Sequence, residues 1–237
     1  MGNIYSCLDA AKRRDAVRAA AEAARSGELV VTPTDTVYGI GADAFNNPAV
    51  AALLAAKHRG PDYPVPVLVG SWDTVAGLTS GVDGRTRALV EAFWPGGLSL
   101  VVPEAPSLPW DLGDTRGTVM VRMPNHPVAL QLLREVGPMA VSSANIHGHP
   151  APTSAAAARQ QLGDSVSVYL DAGEATIGEP STIVDMSGTT PRILRAGAVP
   201  GERIAEVLGL TPESIGAAAE GENAAEAAAD AAAGDKE

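Results

Sequence analysis

The sequence predicts a single α/β domain on one mixed sheet, followed by an acidic tail. Three observations lead there. Short apolar runs of strand length alternate with helix-length stretches through most of the chain. Several strand-like runs then crowd together between residues 166 and 194, which adds antiparallel pairing to a partly parallel sheet. Past Thr211, Ala, Glu, Gly and Asp dominate and no apolar face persists. Residues 1–211 are therefore expected to form the domain, and 212–237 a disordered tail with nothing to dock it.

Residues 9–25 read as a helix, with Asp9 suited to the N-cap and Gly27 to the stop. Residues 29–32 form a short buried strand. Asn47 then caps a second helix, with Pro48 at its first position and Lys57 near its end. A strand is expected at 65–69 and a helix at 84–93, ended by Pro95-Gly96-Gly97. Strands at 98–102 and 118–122 precede a helix at 127–135. A strand at 139–143 and a helix at 154–161 follow. Strands at 166–170, 182–186 and 192–194 lead to a last helix at 201–208.

Composition limits the function. Hydrophobic residues make up 46% of the 237 residues but aromatics only 4%, so aliphatic side chains must fill the core. The net charge of −11 is uneven: from Pro212 onward seven acids meet one base, leaving −5 for residues 1–211. Any basic groove for a polyanion is therefore local. One cysteine, Cys7, excludes an intramolecular disulfide and a Cys-rich zinc site, and suits a reducing cytosol. No apolar run approaches the roughly 18 residues of a membrane span. No basic-then-apolar leader is present, so a cytoplasmic location without membrane contact is expected. Residues 1–6 match the loose myristoylation pattern, which is short enough to arise by chance.

Three segments and two arginines could carry chemistry. Thr32 to Gly41 reads TPTDTVYGIG, a strand end rich in hydroxyls that either binds a small polar ligand or simply leaves the strand as a polar turn. Within it, residues 39–44 formally match a dinucleotide fingerprint. Those glycines do not open a helix, because Phe45-Asn46-Asn47 intervenes, so a Rossmann site is not expected. Lys57-His58-Arg59 leaves a helix into the Gly/Pro turn 60–64. The two cations can complement the helix dipole, or they can converge on one anion. Ser142-Ser143-Ala144-Asn145 delivers small polar groups to a Gly/Pro loop. Ser143 and Asn145 share a face in extended chain and could meet phosphate oxygens or a metal-bound water. Arg122 and Arg195 each close an apolar strand and need a partner, either a ligand carboxylate or a nearby Asp. His147 and His149 lack a carboxylate or Cys at ligand spacing, so no metal site is expected. Neither a Walker loop nor a GxSxG nucleophile motif occurs.

In this order the segments resemble the YrdC/Sua5 family of threonylcarbamoyl-AMP synthases, in its short form. The matching residues are Pro33 to Gly39, Lys57-x-Arg59, Trp94-Pro95-Gly96, Arg122-x-Pro124-x-His126-Pro127, Ser143-x-Asn145, Ser181 to Asp185, and Ile193-Leu194-Arg195-Ala196-Gly197. The resemblance covers about residues 13–208. The resemblance implies a single twisted, open, YrdC-like sheet with flanking helices and a cavity on one face. It implies a nucleotidyltransferase that condenses ATP, with Mg²⁺, L-threonine and bicarbonate to threonylcarbamoyl-AMP and pyrophosphate. The product would feed N6-threonylcarbamoyladenosine in tRNA through downstream transfer proteins. Lys57 and Arg59 are similar to the family's catalytic cations. With Thr118, Ser143, Asn145 and Arg195 they resemble its ATP contacts. Thr34, Tyr38, Arg122, Ser142 and Ser181 resemble its threonine pocket. Two positions depart from the pattern: Tyr63 stands where Asn is frequent, and Leu68 where longer members carry a His that contacts threonine. A second reading keeps the fold as a nucleotide- or RNA-binding protein, with weak tRNA binding and no threonine activation. Its basic content of 17 residues against a net −11 disfavours broad phosphate-backbone contact.

Overall fold

A computed structural model describes residues 2–217. β1 (Asn3–Ser6) leads into α1 (Ala10–Arg25), where Asp9 caps the helix by accepting from the amides of Ala11 and Lys12. The buried stripe of α1 is nearly all alanine, with Val17, so the helix can lie close on its neighbours. β2 (Val30–Thr32) and β3 (Gly39–Asp43) flank the loop 33–38. α2 (Asn47–Ala56), β4 (Val67–Leu68), α3 (Trp72–Ala76), α4 (Gly84–Phe93) and β5 (Leu98–Pro103) follow. β6 (Thr118–Arg122), α5 (Pro127–Val136), β7 (Met139–Ser143), α6 (Ala155–Leu162) and β8 (Val168–Asp171) come next. β9 (Thr182–Asp185), β10 (Arg192–Arg195), α7 (Gly201–Leu208) and β11 (Gly216–Ala217) complete the order.

Among the described residues, the strands form one sheet in the order β1-β8-β2-β3-β7-β4-β6-β5-β9-β10-β11. It is mixed as expected. β8 pairs parallel with β1 and β2, and β4 with β6, while β3 and β7 run antiparallel to their neighbours.

Side-chain alternation sorts this sheet into two faces. Val31, Tyr169, Ala140 and Val67 point to the side packed by α2, α4, α6 and α7. Val30, Val168, Leu170, Met139, Val141 and Leu68 point to the other side, packed by α1 and α5. On that second side Val101, Ile183 and Leu194 form only a small separate cluster. Neither α1 nor α5 contributes to it, and the sheet face is left open between the two groups.

Several elements differ from expectation, each for a local reason. Asn46, not Asn47, caps α2 by accepting from the Ala49 amide. β3 occupies the stretch read as a polar turn and a formal dinucleotide match. Its glycines serve close approach: a Cβ on Gly39 would stand 2.6 Å from Val141 Cγ1, and one on Gly41 3.1 Å from Cγ2. β1 and α3 are too short to show periodicity. Residues 212–217, expected to belong to the tail, carry local structure. Pro212–Ser214 form a 3₁₀ turn, Ile215 is buried, and β11 pairs parallel with Arg192 and Ile193. One apolar residue among polar neighbours gave no periodic signal, yet it anchors the segment. The rest of that expected tail, residues 218–237, lies outside the described residues.

Ile215→Ala should therefore lower the unfolding free energy by about 2 kcal/mol or more, as large-to-small changes in a packed site do. Urea denaturation measures it, and a change below about 0.5 kcal/mol would mean that the body ends before residue 212.

Candidate functional site

The open part of the second sheet face is a cavity whose space, open mouth included, is about 880 Å³. Leu68, Met120, Val141 and Ile183 give it apolar surface, while Thr34, Thr36, Ser99, Ser142, Ser143 and Ser181 bring hydroxyls. Arg59, Arg122 and Arg195 bring charge, and none of the described lining residues is Asp or Glu.

The loop 33–38 forms one wall. Its shape comes from the Thr34 hydroxyl, which donates to the Val37 carbonyl at 2.7 Å and accepts from the Thr36 amide at 3.2 Å. Arg122, at the end of β6, holds the loop from below. Its Nε donates to Gly96 O at 2.8 Å, Nη1 to Thr36 Oγ1 at 2.8 Å and Nη2 to Asp35 Oδ1 at 2.7 Å. Of five N–H donors, three are thus engaged by protein. Burial pushes the Arg122 pKa down and the Asp35 charge opposes that shift. Asp35 Oδ1 also accepts from the Asn125 amide at 2.9 Å, whereas Oδ2 is buried without a hydrogen bond.

Opposite, Arg195 at the end of β10 donates from Nη2 to Ser181 O at 2.7 Å and to Ser181 Oγ at 3.1 Å. Ser99 and Ser181 hydroxyls lie 2.8 Å apart. Burial, then repulsion from Arg122, pushes the Arg195 guanidinium down to about 10.

The third wall joins the end of α2 to the exit of β7. Lys57 is fully buried, and its Nζ donates to the carbonyls of Ser143 and Asn145, the latter at 2.6 Å. The His147 amide returns to Lys57 O at 3.1 Å. Burial, then Arg59, pushes the Lys57 ammonium down to about 7. Positive φ at His58 (57°) turns the chain, so Arg59 reaches back toward the cavity. Its Nη1 stands 3.4 Å from Ser142 Oγ, its Nε donates to His147 Nδ1 at 3.3 Å, and its guanidinium lies 5.1 Å from the Tyr63 ring centre.

The sequence-named residues divide into two groups. Thr34, Tyr38, Arg59, Arg122, Ser142, Ser143, Ser181 and Arg195 line the cavity. Lys57, Asn145 and Thr118 are not among the lining residues. Lys57 lies behind Ser143. Asn145 is buried, with Nδ2 donating to the carbonyls of Ile146 and His149 and Oδ1 unpartnered. Thr118 donates its hydroxyl to Thr115 O at the other end of β6. Tyr38 contributes wall rather than a free phenol. Its hydroxyl donates to Gly173 O at 2.6 Å and accepts from the Ala172 amide, and burial pushes the phenol up to about 12. Sequence reasoning passed over Asp35, Thr36 and Ser99. The first two lay inside a segment already singled out, and Ser99 was a lone hydroxyl in an apolar strand. Leu68, noted as a departure, does line the cavity.

A family model, Sua5_yciO_yrdC, described as "Telomere recombination", matches residues 22–197. The chain is 61% identical over 215 residues to a "Putative threonylcarbamoyl-AMP synthase" of Mycobacterium tuberculosis (strain ATCC 25618 / H37Rv), covering 91% of this chain and 99% of that one. It is 38% identical over 192 residues to a "Threonylcarbamoyl-AMP synthase" of Bacillus subtilis (strain 168), covering 80% of this chain and 56% of that one. Among solved structures, P. abyssi Sua5 complexed with L-threonine superposes with a TM-score of 0.84 at 36% identity, covering 91% of this chain and 62% of that chain. The chain thus spans less than two thirds of these last two relatives.

Removing the Asp35 carboxylate strands a buried guanidinium. Asp35→Ala should cost about 3–5 kcal/mol of stability, and Asp35→Ala combined with Arg122→Met should recover part of it. Additive losses in the double variant would mean that the two residues act separately. Lys57 predicts a pH signature. Its folded pKa, about 7, lies below the ordinary lysine value of 10.5. Between these values the unfolded chain binds more protons, so stability relative to Lys57→Met should rise with pH across that window. A difference that stays flat from pH 7 to about 10 by denaturant titration would mean that the two carbonyls keep the ammonium charged.

Proposed function

The chain belongs to the Sua5–YciO–YrdC family, and on that premise we propose that it is an L-threonylcarbamoyladenylate synthase. The observation that carries this reading is the convergence of Arg59, Arg122 and Arg195 on one cavity whose described lining holds no carboxylate. Such a site suits two anionic reactants at once.

In the proposed reaction the threonine amine combines with bicarbonate, losing water, to give a carbamate. A carbamate oxygen then attacks the α-phosphorus of ATP, and the bond to the β-phosphate oxygen breaks to release pyrophosphate. No protein group becomes covalent. The chain's work is to hold two anions together and to neutralise the departing charge. Arg59 and Ser143 are assigned to the triphosphate, and Arg195 to the nucleotide side. The two N–H bonds that protein leaves free on Arg122 are assigned to the threonine carboxylate. Thr34, Ser142 and Ser181 are assigned to the amino acid. Lys57 supports the phosphate wall through the carbonyls it holds.

Among the described residues no cluster of His, Cys, Asp or Glu could hold a metal by itself. Ser143 brings a neutral hydroxyl to the cavity wall, and, two residues on, the buried Asn145 Oδ1 has no hydrogen-bond partner. They fit Mg²⁺ that arrives on the triphosphate, which keeps most of its ligands as phosphate oxygens and water. Bound there, the ion would offset triphosphate charge. The product would pass to proteins that transfer the threonylcarbamoyl group to tRNA adenosine.

Pyrophosphate release from ATP should require both threonine and bicarbonate, and release indifferent to either would sink the assignment. Arg59→Ala should lower turnover about 10²-fold or more while circular dichroism and unfolding midpoint stay unchanged. Turnover near the wild-type rate would remove Arg59 from the site.

A further inference from the structure

Arg59 takes part in no ion pair among the described residues, yet it is the cation assigned to the triphosphate. Its long side chain leaves a left-handed turn at His58 and has rotamer freedom to lose on binding. Two aromatic residues outside that assignment restrict it. The Tyr63 ring lies under the guanidinium, 5.1 Å from ring centre to Cζ. The His147 ring accepts from Nε at 3.3 Å and meets Tyr63 edge-on at 5.2 Å between centres, with the planes inclined at 65°. Each of the three groups therefore touches the other two.

The support is itself anchored. The His147 amide donates to Lys57 O at 3.1 Å, and Lys57 Nζ holds the carbonyls just before it in the chain. Tyr63 N donates to Gly60 O at 3.2 Å within the turn that Arg59 enters. The contact geometry leaves Nη1 and Nη2 directed away from the Nε–His147 bond, and Nη1 already reaches Ser142 of the cavity wall.

We propose that Tyr63 and His147 are positioning residues that hold the Arg59 guanidinium ready for a phosphate group. The ring face supplies an uncharged partner, so the fork is fixed while its full charge stays available. A carboxylate in the same place would fix it equally well and cancel that charge. The His147 Nδ1 acceptor occupies Nε, which leaves the two Nη groups to make an end-on, two-bond grip on phosphate. Tyr63 is also one of the two positions at which this chain departs from the family pattern.

The proposal rests on the synthase reading only in making Arg59 a triphosphate ligand, and a binding measurement tests it without turnover. The probes are ATP and inorganic triphosphate, titrated calorimetrically into the full chain. Tyr63→Leu should weaken both about three- to tenfold, and Tyr63→Phe, which keeps the ring face, should restore affinity. His147→Gln should weaken both in the same direction. In an Arg59→Ala background, Tyr63→Leu should cost nothing more. In steady-state assays the KM for ATP should rise while the KM for threonine and kcat hold. Wild-type affinity in Tyr63→Leu, equal loss in Tyr63→Phe, or a further loss on the Arg59→Ala background would overturn the proposal. So would failure of the wild-type chain to bind either probe. Pyrophosphate release that ignores threonine would overturn the synthase reading alone. If Tyr63→Leu does not fold, His147→Gln and its own Arg59→Ala cycle decide the matter.

Discussion

The open face of the sheet depends on one buried pair, Arg122 with Asp35, joined at 2.7 Å. Arg122 ends β6, while Asp35 lies in the loop between β2 and β3. In the sheet, β7 and β4 stand between β3, where the loop ends, and β6. The bond therefore pulls a loop across the ends of two strands and turns a bare sheet face into a walled cavity. Burying two ions is expensive, and such pairs seldom add net stability against an apolar alternative. What the pair provides here is location. Gly96 O and the Thr36 hydroxyl complete the grip on the same guanidinium, so three separated sequence motifs meet on one side chain.

How the cations are satisfied matters as much as where they sit. Lys57 is held by the carbonyls of Ser143 and Asn145, Arg195 by the carbonyl of Ser181, and Arg59 by two aromatic rings. Carbonyls and rings lower the energy of a buried cation without cancelling its charge, whereas a carboxylate would do both. Arg122 alone has an acidic partner, and that acid is shared with the Asn125 amide. A chain with a net charge of −11 can thus keep a cavity that attracts anions, because its acids are placed elsewhere.

Much of this was legible in the sequence. Helices with a cap and a periodic apolar face, such as 84–93 and 127–136, were visible because local rules and burial agree there. The cavity residues were visible as polar groups ending apolar strands. What escaped notice depends on distant partners. β3 reads as a turn because its glycines answer to Val141, about a hundred positions away. The partners of Lys57 escaped in the same way, since nothing local reveals that Ser143 and Asn145 will present carbonyls to it. The partner of Arg122 was foreseen as either ligand or Asp, and only the fold selects Asp35.

The apolar floor gives these charges their strength. Leu68, Met120, Val141 and Ile183 line the same cavity as the three guanidiniums, and apolar surface beside a charge lowers the screening it feels. The same alternation that buries Leu68 and Val141 with α1 and α5 brings their edges to the cavity, so floor and core are continuous. In the proposed reaction both reactants are hydrated anions, and an apolar floor between polar walls would replace that hydration with fixed donors from the walls. Leu68 then has a physical meaning beyond the loss of a side-chain contact. With leucine there, the proposed recognition of an amino acid falls to the walls, to Thr34, Ser142, Ser181 and the free donors of Arg122, and so it too returns to the pair that holds Arg122 in place.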